Sequence, residues 1–170
     1  MMHMKKLLFI APALLAAVLL AAGCGASRMT PEEKKAEEAR IAEEVQACLD
    51  ARQYKIVVES IHPMRGTTRY SDGTYSLRVD GSKVYSHLPF FGVAYSVPYG
   101  GGKALVFDDD IDEYYMEQGR RKDRQIITFL TDNGEDIVVF TVTVFDTGSA
   151  DIHVKSRNRE SISFRGHLEL

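Results

Sequence analysis

Cysteine is scarce in this chain. Two in 170 residues are too few for a disulfide framework. No charge sign dominates either. Lys and Arg number 21 against 24 Asp and Glu, for a net charge of −3, which argues against a nucleic-acid binder working through a broad basic surface. The motifs that carry chemistry are absent as well. His62, His87, His153 and His167 form no H-x-x-x-H, H-E-x-x-H or C-x-x-C neighbourhood, so zinc has no support and no metal ligand is nominated. No G-x-S-x-G marks a serine hydrolase. Gly100-Gly101-Gly102-Lys103 is followed by Ala104, which fits a flexible connection and not a phosphate loop. No internal repeat or second domain is visible. What is left is an ordinary globular composition, 45% hydrophobic, with no expectation of wholesale disorder. No catalytic residue and no cofactor is expected, and the chain reads as a non-enzyme. Paired-carboxylate chemistry stays open only because acids are plentiful.

The first residues read as an address. Lys5 and Lys6 precede an uncharged apolar run from Leu7 to Ala22, broken by Pro12. Sixteen residues is short for a membrane span, which needs about 20, and fits the apolar part of a signal peptide. The run ends in Leu20-Ala21-Ala22-Gly23-Cys24. This resembles the lipobox of bacterial lipoproteins, which implies cleavage before Cys24 and lipidation of its thiol. Ala21 stands where that pattern usually has Leu, with Leu20 one position further out. The alternative is a plain secretory signal with Cys24 incidental. Residues 1–23 are thus the expected signal peptide, and 24–29 a lipidated cysteine and tether. Neither Asp directly after Cys24 nor an acidic run follows, so the expected location is the outer membrane, facing the periplasm. No polybasic segment is apparent, so the lipid alone is the expected membrane partner. Five residues after Cys24 reach at most ~17 Å, which places a domain over 30–170 close to the bilayer. With Cys24 acylated, Cys48 has no partner and reads as a small buried hydrophobe.

Thr30-Pro31-Glu32-Glu33 is a helix start, with Thr30 as cap, Pro31 at the first helical position and Glu33 completing a capping box. The helix is expected to run to about Arg52. Ile41, Val45, Cys48 and Leu49 form one narrow apolar stripe, while the segment before Ile41 is Lys, Glu and Ala and should be solvated. After Gln53 the pattern turns to strands: Tyr54–Ile61, Tyr75–Val79, Lys83–Leu88, Arg124–Thr131, Ile137–Phe145, Ala150–Val154 and Ile162–Phe164. Asp80-Gly81-Ser82 and Asp132-Asn133-Gly134-Glu135-Asp136 are hairpin turns. The expected fold is α+β: an amphipathic helix, then an antiparallel sheet of about seven or eight strands able to curl into a sandwich or open barrel.

Three segments together resemble the bacterial family called domain of unknown function 4251: Pro63–Gly66, Leu88–Gly101 and Ser156–Gly166. The resemblance spans nearly the whole chain after the leader and includes the helix-then-strands order. Members are typically short secreted lipoproteins. It implies a fold and a location, and no activity, ligand or catalytic residue.

Two stretches stand out as candidate sites. Phe90, Phe91, Tyr95 and Tyr99 lie among prolines and glycines that forbid a regular helix. Such aromatics either plug the sheet and complete the core or offer a binding loop for an envelope protein or apolar ligand. Arg157, Asn158 and Arg159 make a second, polar patch, since arginine forks grip carboxylate or phosphate. The plain alternative there is a hairpin loop with one arginine paired to Glu160. The acidic run Asp108–Glu113 is expected in a solvated loop, with a weak calcium site as the other reading. The functional expectation is a membrane-anchored, non-catalytic binding or assembly module. The alternatives are a structural envelope protein and, last, an enzyme with an unrecognised site.

Overall fold

A computed structural model of the chain describes residues 29–96, 105–132, 134 and 136–170. The expected leader, Cys24, Tyr99 and Gly100 to Lys103 lie outside the described residues. The chain divides into two compact units, Met1–Ala36 and Glu37–Leu170. In the first, the capping box forms as read: the Glu33 N–H donates to Thr30 Oγ1 at 3.2 Å and the Thr30 N–H donates to Glu33 Oε2 at 2.7 Å. The Thr30 backbone N–H, and then the Thr30 hydroxyl, favour the charged carboxylate and lower the Glu33 pKa. The two bonds start the helix α1, Pro31–Asp50.

Within the second unit, α1 carries an exposed face on which Arg40 pairs with Glu37 and Glu44. Its other face buries Val45 and Leu49 and packs the half-buried Ile41 and Cys48 on the core. The helix ends at Asp50, just short of the expected end near Arg52. Arg52 takes a left-handed conformation (φ 52°) and its N–H donates to the Leu49 carbonyl, which turns the chain into the sheet.

Among the described residues, ten strands follow in one antiparallel sheet. They are β1 (Gln53–Pro63), β2 (Arg69–Tyr70), β3 (Ser76–Asp80), β4 (Lys83–Leu88), β5 (Leu105–Asp110), β6 (Glu113–Gln118), β7 (Arg124–Asp132), β8 (Ile137–Phe145), β9 (Ser149–Ser156) and β10 (Ile162–Leu168). The order is β5-β4-β3-β1-β10-β9-β8-β7-β6, with the short β2 on β1. Seven or eight strands were expected. The additional ones are β2, only two residues long, and the pair β5 and β6, whose acidic residues disguise a strand as a solvated loop. The Asp108–Glu113 run is therefore mostly strand.

The two edge strands of this sheet are β5 and β6, yet only Ile111 and Asp112 separate them in sequence. A two-residue link can join opposite edges only if the sheet has curled round on itself. The Ile111 N–H donates to the Ser82 carbonyl on one side, and the Asp112 N–H to the Leu130 carbonyl on the other. The run 105–118 thus changes partner at a bend, pairing with β4 before it and β7 after it. The Phe107 ring on β5 lies 6.3 Å from that of Phe140 on β8, across the interior of the open barrel so formed.

Alternation fills that interior. Leu77, Val79, Ile127, Phe129, Phe140, Val142, Ile152, Val154 and Phe164 point inward and are fully buried, each large side chain contributing about 1.5–3 kcal/mol. Phe129 and Phe140 stack at 4.8 Å. The register of β1 on β10 shifts between Val58 and Ser60. At that bulge the β1 backbone comes so close that a Cβ on Gly166 would lie 1.9 Å from the Val57 carbonyl oxygen. Only glycine fits there.

Candidate functional site

The strand registers gather distant segments at one end of the barrel. Pro63 on β1 pairs with Ile162 on β10, Ile162 with Val154 on β9, and Ser156 with Val138 on β8. The β7–β8 hairpin, residues 64–66, the segment after β4 and the β9–β10 connection therefore meet. Ala94 forms a bridge with Arg159. The Tyr95 N–H donates to the Asn158 carbonyl at 2.7 Å, and the Glu160 N–H to the Val93 carbonyl at 3.0 Å. The described part of the aromatic stretch, residues 88–96, and the polar stretch 156–160 are thus bound directly to one another.

Charged groups sit beneath this junction. Glu160 is 5% exposed, Asp136 7% and Arg159 8%. Glu160 accepts the Val93 N–H at 3.1 Å and pairs with Arg65 at 3.2 Å. Asp136 accepts the Ser156 hydroxyl and the Arg157 N–H, and Arg159 Nε lies 3.7 Å from its Oδ2. Buried charges are tolerated only when paired and hydrogen-bonded in this way. Arginines also cover the aromatic rings: Arg69 stands 4.3 Å over Phe91, and the same Arg159 lies 5.7 Å over Phe90. A Cβ on Gly92 would come 3.0 Å from Phe90 Cζ and 3.2 Å from Glu160 Oε2, so the chain passes tightly over this network.

Each candidate residue now has a place. Phe90 and Phe91 are half-buried and pack on the core. Tyr95, by contrast, is 69% exposed and Val93 47%. Arg157 is exposed, and Asn158 half-buried with its N–H on Ser156 Oγ. Arg159 is not part of a surface patch, because its guanidinium is buried against Asp136. Nor does an arginine of the 156–160 turn take Glu160: that carboxylate pairs with Arg65, just past the end of the neighbouring strand β1. Sequence reasoning missed Arg65 and Asp136. Asp136 reads as one more turn acid after Asn133-Gly134, and nothing local marks it as buried. A cleft of about 180 Å³ lies beside the junction, lined by Asp132, Gly134, Asp136, Ile137, Arg157 and Asn158. It is smaller than the roughly 300–1,000 Å³ of a small-molecule site.

The outer face of the sheet carries a second set of polar residues. Across β8, β9, β10 and β1 run Thr141, His153, Ser163 and His62, each opposite the next. His153 Nδ1 lies 2.9 Å from Ser163 Oγ, and burial, then the neighbouring Lys155, push the imidazole pKa down. A neutral histidine beside a serine is half of a nucleophilic pair. The other half is missing at this spot. Strand ladders engage the backbone amides of β9 and β10, and Arg165 is held by Asp151 at 2.8 Å, so these nearby donors among the described residues are already engaged and not aimed at an oxyanion. For metals, no group of three or more His, Cys, Asp or Glu converges among the described residues. Asp108 and Asp110 share one face of β5 while alternation puts Asp109 on the other, and Asp110 pairs with Lys83 at 3.3 Å.

The model of a family described as domain of unknown function (DUF4251) matches residues 34–168. Among solved structures, the crystal structure of a DUF4251 family protein from Bacteroides eggerthii superposes with a TM-score of 0.62 at 18% identity, covering 78% of this chain and 89% of that one. No curated protein matches. Among the described residues, no helix is long and apolar enough to cross a membrane.

Proposed function

The chain belongs to the DUF4251 family, and from that premise we propose that it is a lipid-anchored lipoprotein whose sheet unit is a non-catalytic binding or assembly module. Cys24 carries the lipid, and the periplasmic face of the outer membrane is its place. One observation carries the binding role: Tyr95 and Val93 stay exposed on a segment that is otherwise clamped by Asn158 and Glu160. A large exposed aromatic on a backbone already pinned in place is an anchor with less backbone entropy left to lose on binding. The adjoining cleft is too small for a sizeable ligand, which favours a protein partner over a small molecule. The half-burial of Phe90 and Phe91 against the core favours a second reading, in which the segment only closes the barrel.

Photo-crosslinking in living cells from a photoreactive residue at Tyr95 separates the two. A discrete protein adduct supports the module and names its partner. Links confined to the chain's own core residues support closure and sink the binding role. The anchor is tested separately by metabolic labelling with an alkyne fatty acid. Incorporation that disappears in Cys24→Ala supports the lipoprotein reading, and labelling unchanged by that substitution removes it.

A further inference from the structure

The barrel is open where the run 105–118 changes partner, and its two halves leave unequal edges. β5 is guarded: Asp108 and Asp110 are exposed on it, and Lys83 reaches across to Asp110. β6 pairs only with β7, and its other edge pairs with nothing among the described residues. The Gly119 N–H donates to the Arg124 carbonyl at 3.1 Å, extending the register in which Gln118 faces Gln125. The alternation of an antiparallel ladder then turns the backbone N–H and C=O groups of Tyr114, Met116 and Gln118 to the open side. No proline, lysine or bulge interrupts this strand, and the charged guards it carries are Glu113 and Glu117, which repel an acidic strand but not a basic one.

The side chains along the same edge carry a pattern. Glu113, Tyr115 and Glu117 share the outer face, opposite Leu130, Thr128 and Ile126. Tyr115 is 64% exposed and Met116 37%. Glu113 and Glu117 are exposed, and among the described residues neither has an ion pair. We infer that the free edge of β6 takes up an extended segment of another protein as an added antiparallel strand, one with basic residues opposite Glu113 and Glu117 and an apolar residue opposite Tyr115. Backbone bonds to the open edge supply affinity, and the alternate side chains supply selectivity. A second copy of this chain fits less well, because it would crowd Glu113 and Glu117 of both copies onto one patch. This edge lies outside the 88–96 segment, so it stands or falls independently of the binding role proposed for Tyr95.

The test uses the full-length chain and a short peptide carrying two lysines four positions apart with a valine midway between them. A control peptide has glutamates in place of the lysines. Hydrogen exchange should show new protection at the Tyr114, Met116 and Gln118 amides with the lysine peptide. Fluorescence anisotropy should give about a tenfold preference for lysine over glutamate, from two cross-strand charge pairs. In the double variant Glu113→Lys, Glu117→Lys that preference should reverse. Equal binding of both peptides, or protection elsewhere in the chain, overturns the inference. Concentration-dependent dimers that protect the same three amides without peptide overturn the choice of occupant. The exchange experiment needs no variant, so it decides even if the charge reversals disturb folding.

Discussion

The barrel end built from residues 88–96 and 156–160 and the outer face of β9 and β10 use the same chemistry for opposite purposes. Both pair arginine with a carboxylate. At the barrel end Arg159 and Asp136 are buried, and the charges hold down a segment of chain. On the outer face Arg165 and Asp151 meet at 2.8 Å with the Arg165 side chain 65% exposed. The shorter, better-aligned contact is the weaker constraint, because water competes for both partners and its side chains give up entropy to hold one geometry. Burial, more than distance, decides what an ion pair is worth in this molecule.

The sharpest way to break that comparison is Asp136→Ala. It leaves the Arg159 guanidinium buried without its carboxylate, and the expected loss is about 3–5 kcal/mol of folding stability, read by chemical denaturation. Gly92→Ala should cost less, roughly 1 kcal/mol. The new Cβ presses on the flexible Phe90 ring and the Glu160 carboxylate, and hydrogen exchange should locate the loosening at Val93 and Tyr95. His153→Gln probes the outer face through pH. The folded-state pKa of His153 lies below the ordinary value of 6.5, so the unfolded chain binds the proton more readily. Its contribution to stability is complete above pH 6.5 and is lost as pH falls below that value. The unfolding midpoint of the parent should therefore drop more steeply than that of the variant between neutral pH and pH 5. Smallest of all, Arg165→Ala should leave the melting temperature unchanged within error. A loss comparable to that of Asp136→Ala would show that exposure is not what separates the two pairs.

Much of this fold was legible beforehand. Thr30 and Glu33 announce the helix start because capping is a local affair of three residues, and Asn133-Gly134 announces a hairpin for the same reason. The alternation in Tyr75–Val79 and Ile137–Phe145 gave strands and their buried face together. The acidic strands escaped because Asp108–Asp110 has the composition of a loop, and only pairing with β4 makes it a strand. The candidate end was half legible. Its two segments stood out by composition, but the partners that define them come from far away in sequence. Arg65 reaches Glu160 and Asp136 reaches Arg159 through strand registers that no local pattern encodes. Arg159 looked like a surface donor for that reason and is instead a buried tie.

The pairing of β1 with β10 has a consequence for the order of events in the chain's life. These neighbours near the middle of the sheet are the first and the last strands to be made, with Ile56 opposite Leu168. A ribosome that has finished β1 must still add more than a hundred residues before its long-range partner exists, and closing so large a loop carries a slow, entropic step. Until then Ile56, Val58 and Ile61 have only β3 and β2 beside them. The half-made chain is therefore held back from its final structure by its own wiring. Deleting residues 162–170 should do more than trim an end, since it would leave the sheet without the strand that joins its two halves.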